Sequence, residues 1–267
     1  MAIINGYREY KLDNGLIVAL QKTPTETIAA KLRVHYGSMH ENEGEEGLAH
    51  FVEHCLVTGG SEKYNSITAD EIRNSFGYID ASTGVNSTQF VGNILSEDLE
   101  KLLDYTSDHI FRPRFDLERV SGEKNRILRE IADYKSDPMY VAGLEVDEKY
   151  YMNNPRKKSP LGKEEVVMKT NLDKLRNFHR IGYNPNNMDL IIVGNIPSNI
   201  EDLINEYFGS IPVGENTRKE LPELKPFKGK IIIYKSNPKL LNTQNPKESS
   251  AIIFINYRPV VKFDEDE

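Results

Sequence analysis

The chain has 267 residues, 38% of them hydrophobic and 28% charged, a profile that excludes a disordered or fibrous chain and suits one large core or two smaller ones. With 34 Lys and Arg against 41 Asp and Glu the formal charge is −7, which argues against nucleic acid as a partner, since such binders rest on clustered cations, and leaves peptides or small molecules. No apolar run approaches the roughly 20 residues of a membrane helix and the first residues lack the regions of a secretory signal, so the expectation is a cytoplasmic chain with no membrane partner, a removed leader aside.

Residues 7–21 alternate apolar and polar side chains around Asp13-Asn14-Gly15, a turn whose Asn-Gly pair tolerates positive φ, and predict a hairpin. A third strand follows at about 28–36, with Ala30, Leu32, Val34 and Tyr36 on one face, and ends at Gly37-Ser38. Between 45 and 58 the apolar positions Leu48, Phe51, Val52, Cys55 and Leu56 recur at three- and four-residue steps, the pattern of a helix with one buried stripe, stopped by Gly59-Gly60. A short helix near 69–76 is followed by 78–95, rich in Thr, Val, Ile and aromatics, which reads as two strands around 84–87.

Helices are predicted from Ser96 to Phe111, stopped by Pro113, and over about 116–135, with Leu117, Val120, Ile127, Leu128 and Ile131 on the apolar side. Asn171 is a fitting N-cap for a helix to about Ile181, residues 188–194 form a buried strand, and 199–208 a last helix. Blocks of strands and helices with hairpins among them indicate an α+β fold with a mainly antiparallel sheet packed by helices. Residues 212–228, enriched in Pro, Glu and Lys, read as a linker, and 230–234 and 251–257 as two further strands. The expected organisation is one unit over 1–215, then a linker and the opening strands of a second over 216–267.

The sharpest feature is His50-Phe51-Val52-Glu53-His54. At 100° per residue the two histidines lie 40° apart and one turn displaced, so both imidazoles can converge on one ion. Glu53 lies 60° from His50, where a carboxylate can serve as general base without being a ligand. Composition alone predicts roughly 0.02 occurrences of H-x-x-[DE]-H, so accident is a weak explanation; the bland alternative is two surface histidines beside a solvated glutamate. This spacing is the inverted form of the zincin motif.

A catalytic zinc needs a third protein ligand. The candidate is Glu130, flanked by Leu128 and Ile131, with Glu123 two turns earlier on nearly the same face, placed to accept a hydrogen bond from a ligand imidazole. Both residues also fit ordinary charged positions on an amphipathic helix. His35, His40, His109 and His179 stand alone without metal spacing and read as surface or strand-facing residues. Cys55, the only cysteine, cannot form an intrachain disulfide and reads as a buried inert thiol, so stability is expected from packing or a metal.

These residues resemble the M16 metallopeptidases, the family of pitrilysin, insulin-degrading enzyme and the mitochondrial processing peptidase. The family places a distal glutamate ligand about 75 residues after H-x-x-E-H, and 75 residues separate His54 from Glu130 here. GLAHFVEHCLVTGGSEKY, GYIDASTGVNSTQF, SPLGKEE and YNPNNMDLIIVGN follow the family's order. The resemblance covers roughly 7–215, so that 1–215 would be one catalytic repeat and 216–267 the start of an incomplete second.

It implies a zinc-dependent endopeptidase with His50, His54 and Glu130 on Zn2+, Glu53 as base and Glu123 in support. It also implies an edge strand in which Asp80, Ala81, Ser82 and Thr83 bind an extended peptide substrate. The family's Asn-Ala-x-Thr stands here as Asp80-Ala81-Ser82-Thr83; the aspartate loses an amide donor, and from pattern alone the segment is an ordinary half-buried strand. The expected partners are a second repeat or a partner subunit, with self-association through exposed strands near Ile231 and Ile252. The competing expectations are a non-catalytic assembly subunit and a structural zinc site.

Overall fold

The computed structural model describes residues 6–224; the strands expected at 230–234 and 251–257, and the self-association assigned to them, lie outside the described residues. Strands β1 (Tyr7–Lys11) and β2 (Ile17–Lys22) form the hairpin, turning through Gly15 at φ +96°. After β3 (Thr27–Val34) come α1 (Leu48–Thr58) and α2 (Ser66–Ser75), then the pair β4 (Tyr78–Thr83) and β5 (Thr88–Leu95). Helices α3 (Leu99–Phe111), α4 (Leu117–Ser136), α5 (Pro138–Tyr151), α6 (Glu164–Lys169) and α7 (Leu172–Gly182) precede β6 (Met188–Gly194) and α8 (Ile200–Phe208).

The six strands form one sheet in the order β1-β2-β6-β3-β5-β4. All pairings are antiparallel except β2 with β6, which run parallel from Ile17 opposite Asp189 to Lys22 opposite Gly194. The near-continuous apolar run of β6 follows from its central position, where both strand neighbours and the helical layer surround it. β4 lies at the sheet edge.

Val18, Leu20, Ile28, Leu32, Ile94 and Ile192 from the sheet join Phe51 and Val52 of α1, Ile127 and Ile131 of α4, and Leu175 and Phe178 of α7 in one core. Complete burial of a side chain such as Phe51 contributes about 1.5–3 kcal/mol, and this holds α1 against α4 and α7. The start of α1 is fixed by backbone close approach. Gly47 caps it at φ +99°, and Gly162 packs so tightly that a Cβ there would lie 2.2 Å from the Gly47 Cα. Lys163 N–H donates to the Glu46 carbonyl at 3.2 Å and its ammonium pairs with the Glu46 carboxylate at 3.1 Å. The 158–163 loop is thereby clamped beside the histidine-bearing helix.

Several expectations need correction. Leu117, placed on the apolar side of α4, is 67% exposed at the first position of the helix, whereas Val120, Ile127 and Ile131 are buried. α5 and α6 went unread. α5 buries no residue, so no apolar stripe marks it; its signal was Asp137-Pro138, an N-cap that accepts from Met139 N–H followed by proline in the first turn.

His40, His109 and His179 are buried rather than surface residues. Each finds a backbone partner: His179 Nε2 with the Ile110 carbonyl at 2.7 Å, His109 Nδ1 with the Tyr105 carbonyl at 2.9 Å, and His40 Nε2 with the Thr217 carbonyl at 3.2 Å. Burial pushes His179 down to about 4, so it is a neutral packing residue at physiological pH.

Residues 212–224 hold neither helix nor strand and are tied back to the sheet. Asn187 exchanges hydrogen bonds with Thr217 at 2.8 and 2.9 Å, Asn186 donates to the Gly214 carbonyl at 2.6 Å, and Arg218 pairs with Asp189 at 2.9 Å. Asp189 also pairs with Arg33 and His35, both at 2.6 Å. Burial opposes its charge, but His35, Arg33 and Arg218 outweigh it and hold the carboxyl well below the usual range.

A folded-state pKa below the unfolded one contributes stability that is present above the unfolded value, near 3.9, and is lost as pH falls through the folded value. Asp189→Asn is therefore expected to cost about 1–2 kcal/mol at pH 7, reduced by solvent screening at the half-buried Arg33. The difference from wild type in denaturant titrations should shrink below about pH 4; a difference unchanged down to pH 2 would show that the charge is not its source.

Candidate metal centre

His50 and His54 project from one face of α1, their Nε2 atoms 3.1 Å apart and their rings nearly perpendicular at 82°. α4 packs across α1 and brings the Glu130 Oε2 to 3.8 Å from His50 Nε2 and 3.5 Å from His54 Nε2. One donor atom from each of the three lies within 4.8 Å of the others. Two turns earlier on α4, Glu123 Oε2 accepts from His54 Nδ1 at 2.8 Å. A proton on Nδ1 satisfies that bond and turns Nε2 toward His50 and Glu130.

The electrostatics suit a cation. Burial, then His54, pushes His50 down to about 3, so its imidazole is neutral, and its Nδ1 is buried without a partner among the described residues. Burial drives Glu123 upward, but the His54 hydrogen bond and charge outweigh it and leave the carboxyl below its ordinary value. Two imidazoles facing one carboxylate are a donor set that fits zinc, with a position left over for water or substrate. No other group of three such side chains meets this test among the described residues.

Glu53 is buried on the same helix, 7% exposed. Burial raises its pKa against the opposing effects of the Thr83 hydroxyl and His54. Thr83 Oγ1, at the end of edge strand β4, donates to Glu53 Oε2 at 2.5 Å. The neighbouring cleft, about 860 Å³, is lined by His50, Glu53, His54, Val57 and Thr58 of α1, by Asp80 to Thr83 of β4, and by Arg126, Arg129, Glu130, Asp133 and Tyr134 of α4; Tyr140 of α5 and Ser159 to Leu161 of the clamped loop complete it.

The fold thus brings together His50, Glu53, His54, Glu123 and Glu130 from two helices, and sets Asp80, Ala81, Ser82 and Thr83 along the same cleft. Asp80 is exposed and accepts from the Tyr78 hydroxyl at 2.7 Å. Sequence reasoning missed the wall formed by Tyr134, Tyr140 and Leu161, which depends on how α5 folds back and carries no local motif. Cys55 is buried, and burial pushes its thiol pKa up, as an inert core residue requires.

An inverted H-x-x-E-H helix crossed by a glutamate-bearing helix over a mostly antiparallel sheet defines a metallopeptidase-like scaffold. Residues 17–164 match the family described as insulinase, peptidase family M16, and 169–259 match the M16 inactive domain; the chain belongs to the M16 family. It is 30% identical over 222 residues to an uncharacterized zinc protease, YmxG, of Bacillus subtilis, covering 81% of this chain and 53% of that one. It is 32% identical over 216 residues to an uncharacterized zinc protease of Rickettsia bellii, covering 78% and 51%. The beta subunit of the mitochondrial-processing peptidase of Neurospora crassa is 26% identical over 203 residues, covering 75% and 43%.

The chain spans about half the length of the zinc proteases it matches. Among solved structures, the first half of the periplasmic protease PqqL from Escherichia coli superposes with a TM-score of 0.75 at 23% identity, covering 83% of this chain and 49% of that one. That likeness shows the fold.

Proposed function

We propose that this chain carries the zinc centre of a metalloendopeptidase that hydrolyses peptides or unfolded segments held extended along β4. The observation that carries the reading is the convergence of His50, His54 and Glu130 on one point beside the buried carboxylate of Glu53. His50, His54 and Glu130 would hold zinc, which supplies Lewis acidity toward a carbonyl and makes water more acidic. Glu53 takes the proton from the attacking water and delivers it to the leaving amine nitrogen. Glu123 orients the His54 ring and fixes its tautomer. The exposed edge of β4 pairs with substrate backbone, which presents the scissile bond without demanding particular side chains. A second repeat or a partner subunit supplies the opposite side of the cleft. A purely structural zinc site is disfavoured, since such sites are closed by four ligands and here the base stands beside an open position.

The test is a cleavage assay on an unfolded peptide, run with zinc-loaded chain in the presence of a longer M16 relative's second half, before and after metal removal. Cleavage that zinc alone restores supports the reading; cleavage that survives chelation overturns it. Glu123→Gln is expected to lower zinc affinity or turnover about 10- to 100-fold while the fold persists. Wild-type affinity in competition with a chelator, together with wild-type turnover, would return Glu123 to an ordinary helix position.

A further inference from the structure

Glu53 is a buried carboxylate with one hydrogen bond among the described residues, and the donor lies on the strand proposed to receive substrate. Thr83 Oγ1 donates to Oε2 at 2.5 Å, while Oε1 accepts nothing from the described protein. Thr83 is itself fixed. It stands opposite Thr88 in the β4–β5 register, and Thr88 is fully buried, its hydroxyl donating to the Tyr36 carbonyl at 3.0 Å. The two hydroxyls lie 3.5 Å apart, and with the Thr88 proton committed to Tyr36 the Thr83 proton is free for Glu53. A β-branched side chain in a strand also has few χ1 choices, so the hydroxyl is aimed by the backbone.

We infer that Thr83 is a positioning residue: its hydroxyl pins one oxygen of Glu53, so that the other faces the donor centre, and it links the placement of the base to the placement of the edge strand. This inference rests on the proposed peptidase reading, and it reassigns Thr83, which the family resemblance implied as a substrate contact. A carboxylate free to rotate samples orientations in which neither oxygen reaches the reacting water, and loss of such preorganisation lowers turnover more than binding. A substrate strand that displaces β4 would move the base with it.

The experiment compares wild type, Thr83→Val and Thr83→Ser. Valine keeps the branched shape and removes the donor; serine keeps the donor and loses the branch. With the cleavage assay working for wild type, Thr83→Val is expected to lower kcat about 10- to 100-fold with KM within about twofold, zinc content unchanged, and Thr83→Ser to recover most of the loss. Unchanged kcat, a rise in KM alone, or a loss that serine does not repair would overturn the assignment.

A second readout needs no turnover. In crystal structures the Glu53 side chain should be ordered and bonded to residue 83 in wild type and Thr83→Ser, and should adopt another or several conformers in Thr83→Val. An unmoved Glu53 in the valine variant overturns the inference even if no cleavage is found. Absence of metal-dependent cleavage in wild type, by contrast, counts against the peptidase reading alone.

Discussion

Glu53→Gln is expected to keep zinc and lose about 10²- to 10⁴-fold in kcat, the usual contribution of a positioned general base. The amide has nearly the shape of the carboxylate and can still accept from Thr83 through its oxygen, so the helix and the donor centre should be undisturbed. What it lacks is the capacity to take a proton. Glu53 lies on the same helix as both histidines but is not among the three side chains whose donor atoms converge, and this separation of base from ligands is what the variant probes. Zinc content and peptide turnover measured on one preparation decide the matter. Loss of metal would make Glu53 a ligand, and retained turnover would move the base elsewhere.

The second large effect concerns what this chain does by itself. It spans about half the length of the zinc proteases it matches, and its cleft is walled by β4 on one side and by α4, α5 and the 158–163 loop on the other. If substrate is enclosed from outside by a second repeat or partner subunit, the isolated chain binds zinc but positions peptide poorly. Positioning can supply several kcal/mol of barrier reduction, so turnover by residues 1–267 alone is expected to be at least about a hundredfold below that of the chain supplied with such a partner. Equal turnover with and without the partner, from a monodisperse monomer, would show that one repeat suffices.

The residues behind both predictions were unequally legible in the sequence. The H-x-x-E-H spacing fixes the relative direction of three side chains on any helix, so His50, Glu53 and His54 could be placed before any tertiary contact was known. Glu123 and Glu130 could be put on one face of α4 by the same arithmetic, but that this face meets α1 rather than solvent is a packing fact that periodicity does not carry. The strands were legible one by one because alternation marks a half-buried strand. Their order was not. β6 inserts between β2 and β3, parallel to the first and antiparallel to the second, and a buried apolar strand looks the same with either neighbour.

α5 shows the opposite limit. It buries no residue completely and so leaves no stripe, yet it helps to build the cleft wall through Tyr140, whose hydroxyl meets Ser159 Oγ at 2.7 Å. The same limit explains the histidines. His109 and His179 lack metal spacing, but absence of a motif says nothing about burial, and each is accommodated by a backbone carbonyl that only the folded chain supplies. Thr83 was visible as part of a strand motif, whereas its hydrogen bond to Glu53 depends on the edge position of β4 beside α1.

The central claim is that His50, His54 and Glu130 form one metal site, and the most direct measurement is the zinc content of purified chain by elemental analysis. Wild type is expected to carry about one zinc per chain, and His50→Ala combined with Glu130→Ala to carry almost none after mild chelation, because a single histidine cannot hold the ion. Full zinc retention in that double variant, with its fold intact, would contradict the account.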